Sequence, residues 1–141
     1  MGDDVRAYKP PWADRQSPVG HAYVTILVVA FRVKEYIRED GAIPFKTWFD
    51  RLDHQAAAKV ATAVARLSAG NTSSIKWFSG IGEIRIDWGP GYRVYVAKDG
   101  ETLIILFCGG TKRRQQADIT TALALHAEFK ARKRAAAKKA R

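Results

Sequence analysis

The chain has 141 residues, with 24 Lys and Arg against 14 Asp and Glu, a formal net charge of +10 and a single cysteine. That length supports one packed core without covalent staples, and the lone Cys108 excludes an internal disulfide and cannot complete a metal centre. The longest apolar run, Ala22 to Phe31, falls short of the roughly 20 residues that span a bilayer, and it follows Asp3 and Asp4 rather than a basic leader, so a cytoplasmic protein with a polyanionic partner is expected.

Residues 1–22 hold Pro10, Pro11, Pro18 and Gly20, mix acidic with basic residues and show no periodicity. They read as an unpacked arm or an upstream extension of the reading frame. A single domain then runs over 23–134. A strand is predicted from about Val24 to Ile37, where Phe31 and Val33 alternate with Arg32 and Lys34. Asp40-Gly41 marks a turn, and Pro44 suits the first position of a short helix from Pro44 to Leu52. Asp53 is a natural cap for a second helix, whose stripe is Ala57, Val60, Val64 and Leu67 and whose end is Gly70-Asn71. Asn71 to Ser74 are read as loop.

Three strands follow in a meander. Ile84, Ile86 and Trp88 share one face and Glu83, Arg85 and Asp87 the other, and Tyr92, Val94 and Val96 alternate with Arg93, Tyr95 and Ala97. The Gly89-Pro90-Gly91 connection suggests a tight hairpin in which Trp88 opposes Tyr92, Arg85 opposes Tyr95, and Asp87 forms a cross-strand ion pair with Arg93. After Asp99-Gly100 the run from Thr102 to Phe107 is continuously apolar, as in a strand buried on both faces, and is expected at the centre of the sheet. Trp48, Trp77, Trp88 and Phe107 are assigned to the core. The last helix is predicted from Arg114 to Arg134, with a stripe of Ile119, Leu123, His126 and Phe129, and 135–141 form a basic tail.

The charge is concentrated. From Lys112 to Arg141 ten basic residues face only Asp118 and Glu128. Lys112 and Arg113 follow Gly109-Gly110 at the edge of the sheet, with no apolar neighbour to serve, whereas Lys130, Arg132 and Lys133 lie further along. In the RNA cleavage that the family resemblance described below implies, attack by a ribose 2′-OH builds charge on the phosphoryl oxygens, which fixed cations stabilise. Arg85, Arg93, Lys112 and Arg113 can supply them. Arginine does not release its proton, which leaves Lys112 and Tyr95 for proton transfer, with Arg114, Lys130, Arg132 and Lys133 as RNA-binding residues.

Several ordered blocks carry a family resemblance: R-E-D-G-x-x-P-F-x-x-W-F-x-x-L-D from Arg38 to Asp53, G-x-x-E-I-R-I from Gly80 to Ile86, G-P-G-Y-R-V-Y from Gly89 to Tyr95, C-G-G from Cys108 to Gly110, and Lys112 with Gln115-Gln116 and Asp118-Ile119. From Phe31 to Phe129 the chain resembles the RelE/ParE superfamily of bacterial toxins, and more closely the phage-derived addiction-module killer proteins allied to HigB. The resemblance implies an α+β fold built from a strand, two helices, a three-stranded antiparallel meander and a closing helix. It implies the toxin of a type II toxin-antitoxin pair, a metal-independent messenger-RNA endoribonuclease without cofactor that acts free or on the ribosome and inhibits translation. The partner it implies is an antitoxin of the helix-turn-helix, HigA-like kind, whose acidic or amphipathic segment would cover the cationic face. Two alternatives stand beside it, a noncatalytic inhibitor of DNA gyrase and an inactive module that binds antitoxin and operator DNA. Arg93, Lys112 and Arg113 match functional positions of the family. The tyrosine that its ribonucleases often carry early in the last helix is replaced by Ala117-Asp118-Ile119.

Overall fold

A computed structural model describes residues 31–140 of the chain. The first described strand, β1 (Arg32–Glu35), leads into helices α1 (Pro44–Phe49) and α2 (His54–Ser68), and then into strands β2 (Ile75–Phe78), β3 (Ile81–Ile86), β4 (Tyr92–Asp99) and β5 (Leu103–Thr111). A single turn of tighter helix, Lys112–Arg114, opens the long helix α3 (Gln115–Lys139). The five strands form one sheet in the order β1-β5-β4-β3-β2, with β1 parallel to β5 and every other pair antiparallel. The fold is therefore α+β, and no described helix is long and apolar enough to cross a membrane.

Local signals placed the helices well. Pro44 stands at the first turn of α1, where its missing N–H costs nothing. Asp53 Oδ1 accepts the Ala56 N–H at 2.8 Å and caps α2. Helix α2 then buries Ala56, Val60 and Leu67. Helix α1 stops at Phe49, short of the predicted Leu52, and α3 continues past the predicted Arg134 through most of the expected basic tail. The part of the first strand predicted at residues 24–30, and the arm at 1–22, lie outside the described residues.

The sheet separates two cores. Ile84, Ile86, Tyr92, Val94, Val96, Ile104 and Leu106 pack with Phe45, Val60 and Leu67 of the first two helices. On the opposite face Ile81, Tyr95, Ala97, Ile105 and Phe107 pack with Ala122 and Leu125 of α3. Both faces of β5 are thus covered, as its unbroken apolar run predicted. The middle position belongs to β4, however, because an unpredicted strand extends the sheet on its far side. That strand is β2, whose four residues are too few to display a period. The Ser79-Gly80 turn joins it to β3 with both residues at positive φ, as a two-residue hairpin loop requires. Trp77 lies on this edge and is 44% exposed, so it is not a core residue.

The predicted hairpin register is corrected by two residues. Ile86 opposes Tyr92, Arg85 opposes Arg93, and Glu83 opposes Tyr95. The connection is longer than a tight turn: the Trp88 N–H donates to the Ile86 carbonyl at 2.9 Å and the Gly91 N–H to the Trp88 carbonyl at 3.1 Å. Trp88 stacks on Tyr92 without being its ladder partner. A shift of two keeps every side chain on its face but changes every cross-strand pair. A bulge between β4 and β5 has the opposite effect, because Tyr95 pairs with Cys108 while Val96 pairs with Leu106. Phe107 is the extra residue, and beyond it inside and outside exchange. Gly109 consequently lies under Trp48 of α1, and Gly110 lies under Asp118 of α3.

Candidate functional site

The corrected register brings two arginines face to face. Like charges directly opposite on a sheet repel, and the buried carboxylate of Glu83 offsets this pair. Glu83 is 1% exposed. Its Oε1 accepts from Arg85 Nε at 3.1 Å and lies 3.9 Å from Arg93 Nε, while its Oε2 accepts from Gln115 Nε2 at 2.9 Å. Burial alone would raise the pKa of this carboxyl, but the hydrogen bonds from Arg85 and Gln115 and the charges of Arg85 and Arg93 outweigh it and hold it below the usual range. Strands β3 and β4 and helix α3 therefore converge on one anion. Asp87, expected to pair with Arg93, is exposed in the connection instead.

Arg93 is buried, and its Nη1 donates to the Gly91 carbonyl at 3.0 Å. The same carbonyl accepts the backbone N–H of Lys112 at 2.8 Å. Gly91 adopts a φ of +75°, and a Cβ built there would lie 3.5 Å from both Arg93 Nη1 and Lys112 Cβ. One glycine carbonyl thus holds the start of β4 to the end of β5 and places Arg93 beside Lys112. Lys112, Arg113 and Arg114 occupy the tight turn before α3, and all three are exposed. The Arg85 side chain is 52% exposed although Glu83 holds its Nε. Four of the five predicted catalytic residues, Arg85, Arg93, Lys112 and Arg113, therefore meet at one corner, joined by Arg114.

Tyr95, the fifth, opposes Glu83 on the same face as Arg93 but is fully buried beneath α3. Its pKa is raised by burial first and then by the charge of Glu83, so the phenol stays protonated and out of reach of a substrate. The period-two reading put it on the correct face but could not foresee that α3 covers that face. Three buried side-chain atoms, Arg93 Nε, Tyr95 Oη and Asp118 Oδ2, find no hydrogen-bond partner among the described residues. Tyr95 lies close enough to both Arg93 and Asp118 to interact with them electrostatically. Asp118 is pressed on Gly110, and burial raises its pKa against the lowering effect of Arg114.

The remaining RNA-binding candidates do not form one surface with this corner. Lys130 begins the exposed far half of α3, about 25 Å along the helix axis from Arg114. Arg132 donates to the Ile37 carbonyl at 2.7 Å and to Tyr36 Oη at 3.3 Å, and its guanidinium lies over the Tyr36 ring. Lys133 pairs with Asp99. Arg132 and Lys133 fasten α3 to the strands. Glu128 completes that anchor, held down to about 2 by hydrogen bonds from Arg38 and Tyr36. Cys108 is buried, and burial, with the charge of Asp118, pushes its thiol up to about 12, which removes it as a nucleophile.

Sequence reasoning missed Glu83, Gln115 and Asp118. Glu83 offered one signal, a carboxylate alternating with Arg85 on the polar face of a strand. Gln115 and Asp118 stand in a block that carries the family resemblance, but no local pattern gave either a role, because their partners are distant in sequence. No protein-family model matches the chain. An uncharacterized protein of Haemophilus influenzae is 42% identical to it over 89 residues, a match that covers 62% of this chain and 90% of that protein. The chain belongs to the family of that Haemophilus influenzae protein.

Proposed function

We propose that the chain is a RelE/ParE-type toxin of the HigB-like branch that cleaves messenger RNA without a metal, and that the corner around Gly91 binds the scissile phosphate. The observation that supports this reading is the holding of Arg85 and Arg93 by one buried anion, Glu83, beside the exposed turn of Lys112, Arg113 and Arg114 that the Gly91 carbonyl fastens to β4. Fixed cations in a partly dry corner favour a phosphoryl group that gains charge as the ribose 2′-oxygen attacks phosphorus and the bond to the 5′-oxygen breaks. Arg93 orients, because Glu83 and the Gly91 carbonyl hold its guanidinium. Arg85, Arg113 and Arg114 neutralise charge from the solvent side. Lys112 is the residue of this group with a transferable proton, and it takes the proton-transfer role that the burial of Tyr95 leaves vacant. The proposed partner is a helix-turn-helix antitoxin that covers the same cations.

Induction of the protein in a bacterial host tests this, with message integrity and growth as readouts. Lys112→Ala and Arg85→Ala should relieve growth arrest and spare the fold, since both side chains reach solvent; Arg93→Ala is a poorer probe because that side chain is buried. Full toxicity in both variants refutes the assignment. DNA breakage with intact messages would identify gyrase as the target, and absence of any arrest together with tight antitoxin binding would leave a regulatory module.

A further inference from the structure

Strand β1 is the outer strand of the sheet, and no described strand pairs with its free side. The N–H groups of Arg32 and Tyr36 donate to the Thr102 and Leu106 carbonyls at 2.7 and 2.9 Å. Backbone groups alternate along a strand, so those of Val33 and Glu35 point away from β5 and form an open edge. An apolar cleft flanks this edge on each face of the sheet. On the α3 side a cleft of about 450 Å³ is lined by Tyr36, Ile37, Leu103, Ile105 and Phe129, and Ile37 is 55% exposed. On the side of α1 and α2 a cleft of about 530 Å³ is lined by Val33, Phe45, Phe49, Val64 and Leu106. A strand added to β1 would send alternate side chains into the two clefts, so the strand that fits is apolar on both faces.

The chain carries such a sequence directly upstream. Residues 24–30, Val-Thr-Ile-Leu-Val-Val-Ala, are apolar but for Thr25 and rich in the β-branched side chains that strands favour. Two features direct this segment away from β1 of its own copy. No Gly, Pro, Asn or Asp occurs between Ala22 and Glu35, so nothing supplies the tight turn that folding back would need. Straight continuation finds no partner either, because Arg32 already bonds to Thr102, one residue before β5 begins, and the chain there turns back into β4. We infer that the protein is a two-fold dimer made by strand exchange, in which residues 24–30 of each copy pair antiparallel with the free edge of β1 in the other and fill both its clefts. A two-fold axis perpendicular to the sheet sets the two extended first strands side by side and joins two sheets into one. Such an axis keeps each face on its own side. Thr25, Leu27 and Val29 therefore join Val33 on the side of α1 and α2, and Val24, Ile26 and Val28 take the α3 side. The cationic corner, at the opposite end of β5, stays open, and the dimer does not depend on the ribonuclease reading.

Light scattering after gel filtration, over a range of concentrations, should give the full-length protein twice the mass of one chain. Glu35→Pro removes an outward N–H, a loss that a solvent-facing edge tolerates and a paired edge does not, so this variant should be a folded monomer by circular dichroism. Ile26→Lys puts a charge into the α3 cleft of the other copy and should have the same effect. Val28→Cys, Val29→Cys, Ala30→Cys and Phe31→Cys, each combined with Cys108→Ser, read the geometry. Only the residue on the two-fold axis meets its own copy within disulfide reach, so one of these variants should oxidise to a covalent dimer well ahead of the rest. A monomer at every concentration overturns the exchange. So does a dimer that survives both Glu35→Pro and Ile26→Lys, or one that cross-links at none of these positions. A monomer that Ile26→Lys destabilises would put the segment on β1 of its own copy, which equally refutes the exchange.

Discussion

Replacing Glu83 by alanine should be among the most damaging single changes in the described domain. The side chain is 1% exposed and serves Arg85, Arg93 and Gln115 together. Arg85 is half in water and can rehydrate, and Gln115 lies near the surface, so the loss falls mainly on Arg93, whose side chain is 7% exposed and would keep only the Gly91 carbonyl. Breaking a buried ion pair from one side costs about 3–5 kcal/mol. The 3.9 Å separation from Arg93 Nε argues for the lower end, about 3 kcal/mol. With a urea m-value of about 2 kcal/mol per molar, the unfolding midpoint should fall by about 1.5 M. Glu83→Gln keeps the shape and one acceptor and should cost about 1 kcal/mol. The folded carboxyl titrates below its ordinary range, so its stabilisation is fully present above the unfolded pKa and is lost as pH falls through the folded one. The gap between the natural protein and Glu83→Gln should therefore close in acid. Urea titrations of the three proteins at neutral and acidic pH decide this. A cost below about 1 kcal/mol for Glu83→Ala, or equal costs for alanine and glutamine, would refute the view of Glu83 as the hub that offsets two opposed arginines.

Gly110→Ala should destabilise by about 1–3 kcal/mol through its collision with Asp118, and adding Asp118→Ala should recover most of that, as a double-mutant cycle by thermal or chemical unfolding would reveal. Additive costs would sink the contact. Asp118→Asn should stabilise the protein at neutral pH. The raised pKa of Asp118 means that the protein loses stability as pH rises from the unfolded to the folded pKa, so the advantage of asparagine should be present above that window and vanish below it. A lower melting temperature for this variant at neutral pH would contradict an unpartnered buried carboxylate. Glu128→Gln should loosen the anchor of α3 on β1, with faster amide exchange near Tyr36; unchanged exchange there would mean that the Arg38 and Tyr36 bonds hold nothing in place.

Alternation and capping were legible because they are local. The apolar faces of β3 and β4, the Asp53 cap and the two-sided burial of β5 all follow from neighbours within a few residues. The cations of the site were legible for a related reason: Arg85, Arg93, Lys112 and Arg113 have no apolar stripe to join. Beyond that reach the reading failed in specific ways. Strand β2 is too short to show a period, and the connection from Asp87 to Gly91 folds back on Trp88, which moved the register by two and exchanged the expected Asp87–Arg93 pair for Glu83.

The amino-acid order by itself thus determined which residues point to the same side, because a strand's period of two and a helix's of nearly four belong to the backbone. It also determined that positive charge gathers after Gly110. Tertiary structure alone decided which charges meet. The bulge at Phe107 exchanges the faces of the last residues of β5, setting Gly109 under Trp48 and Gly110 under Asp118. The packing of α3 buries Tyr95, and the register places Glu83 between two arginines. Those outcomes depend on contacts between residues far apart in the chain, whose energies no local pattern contains.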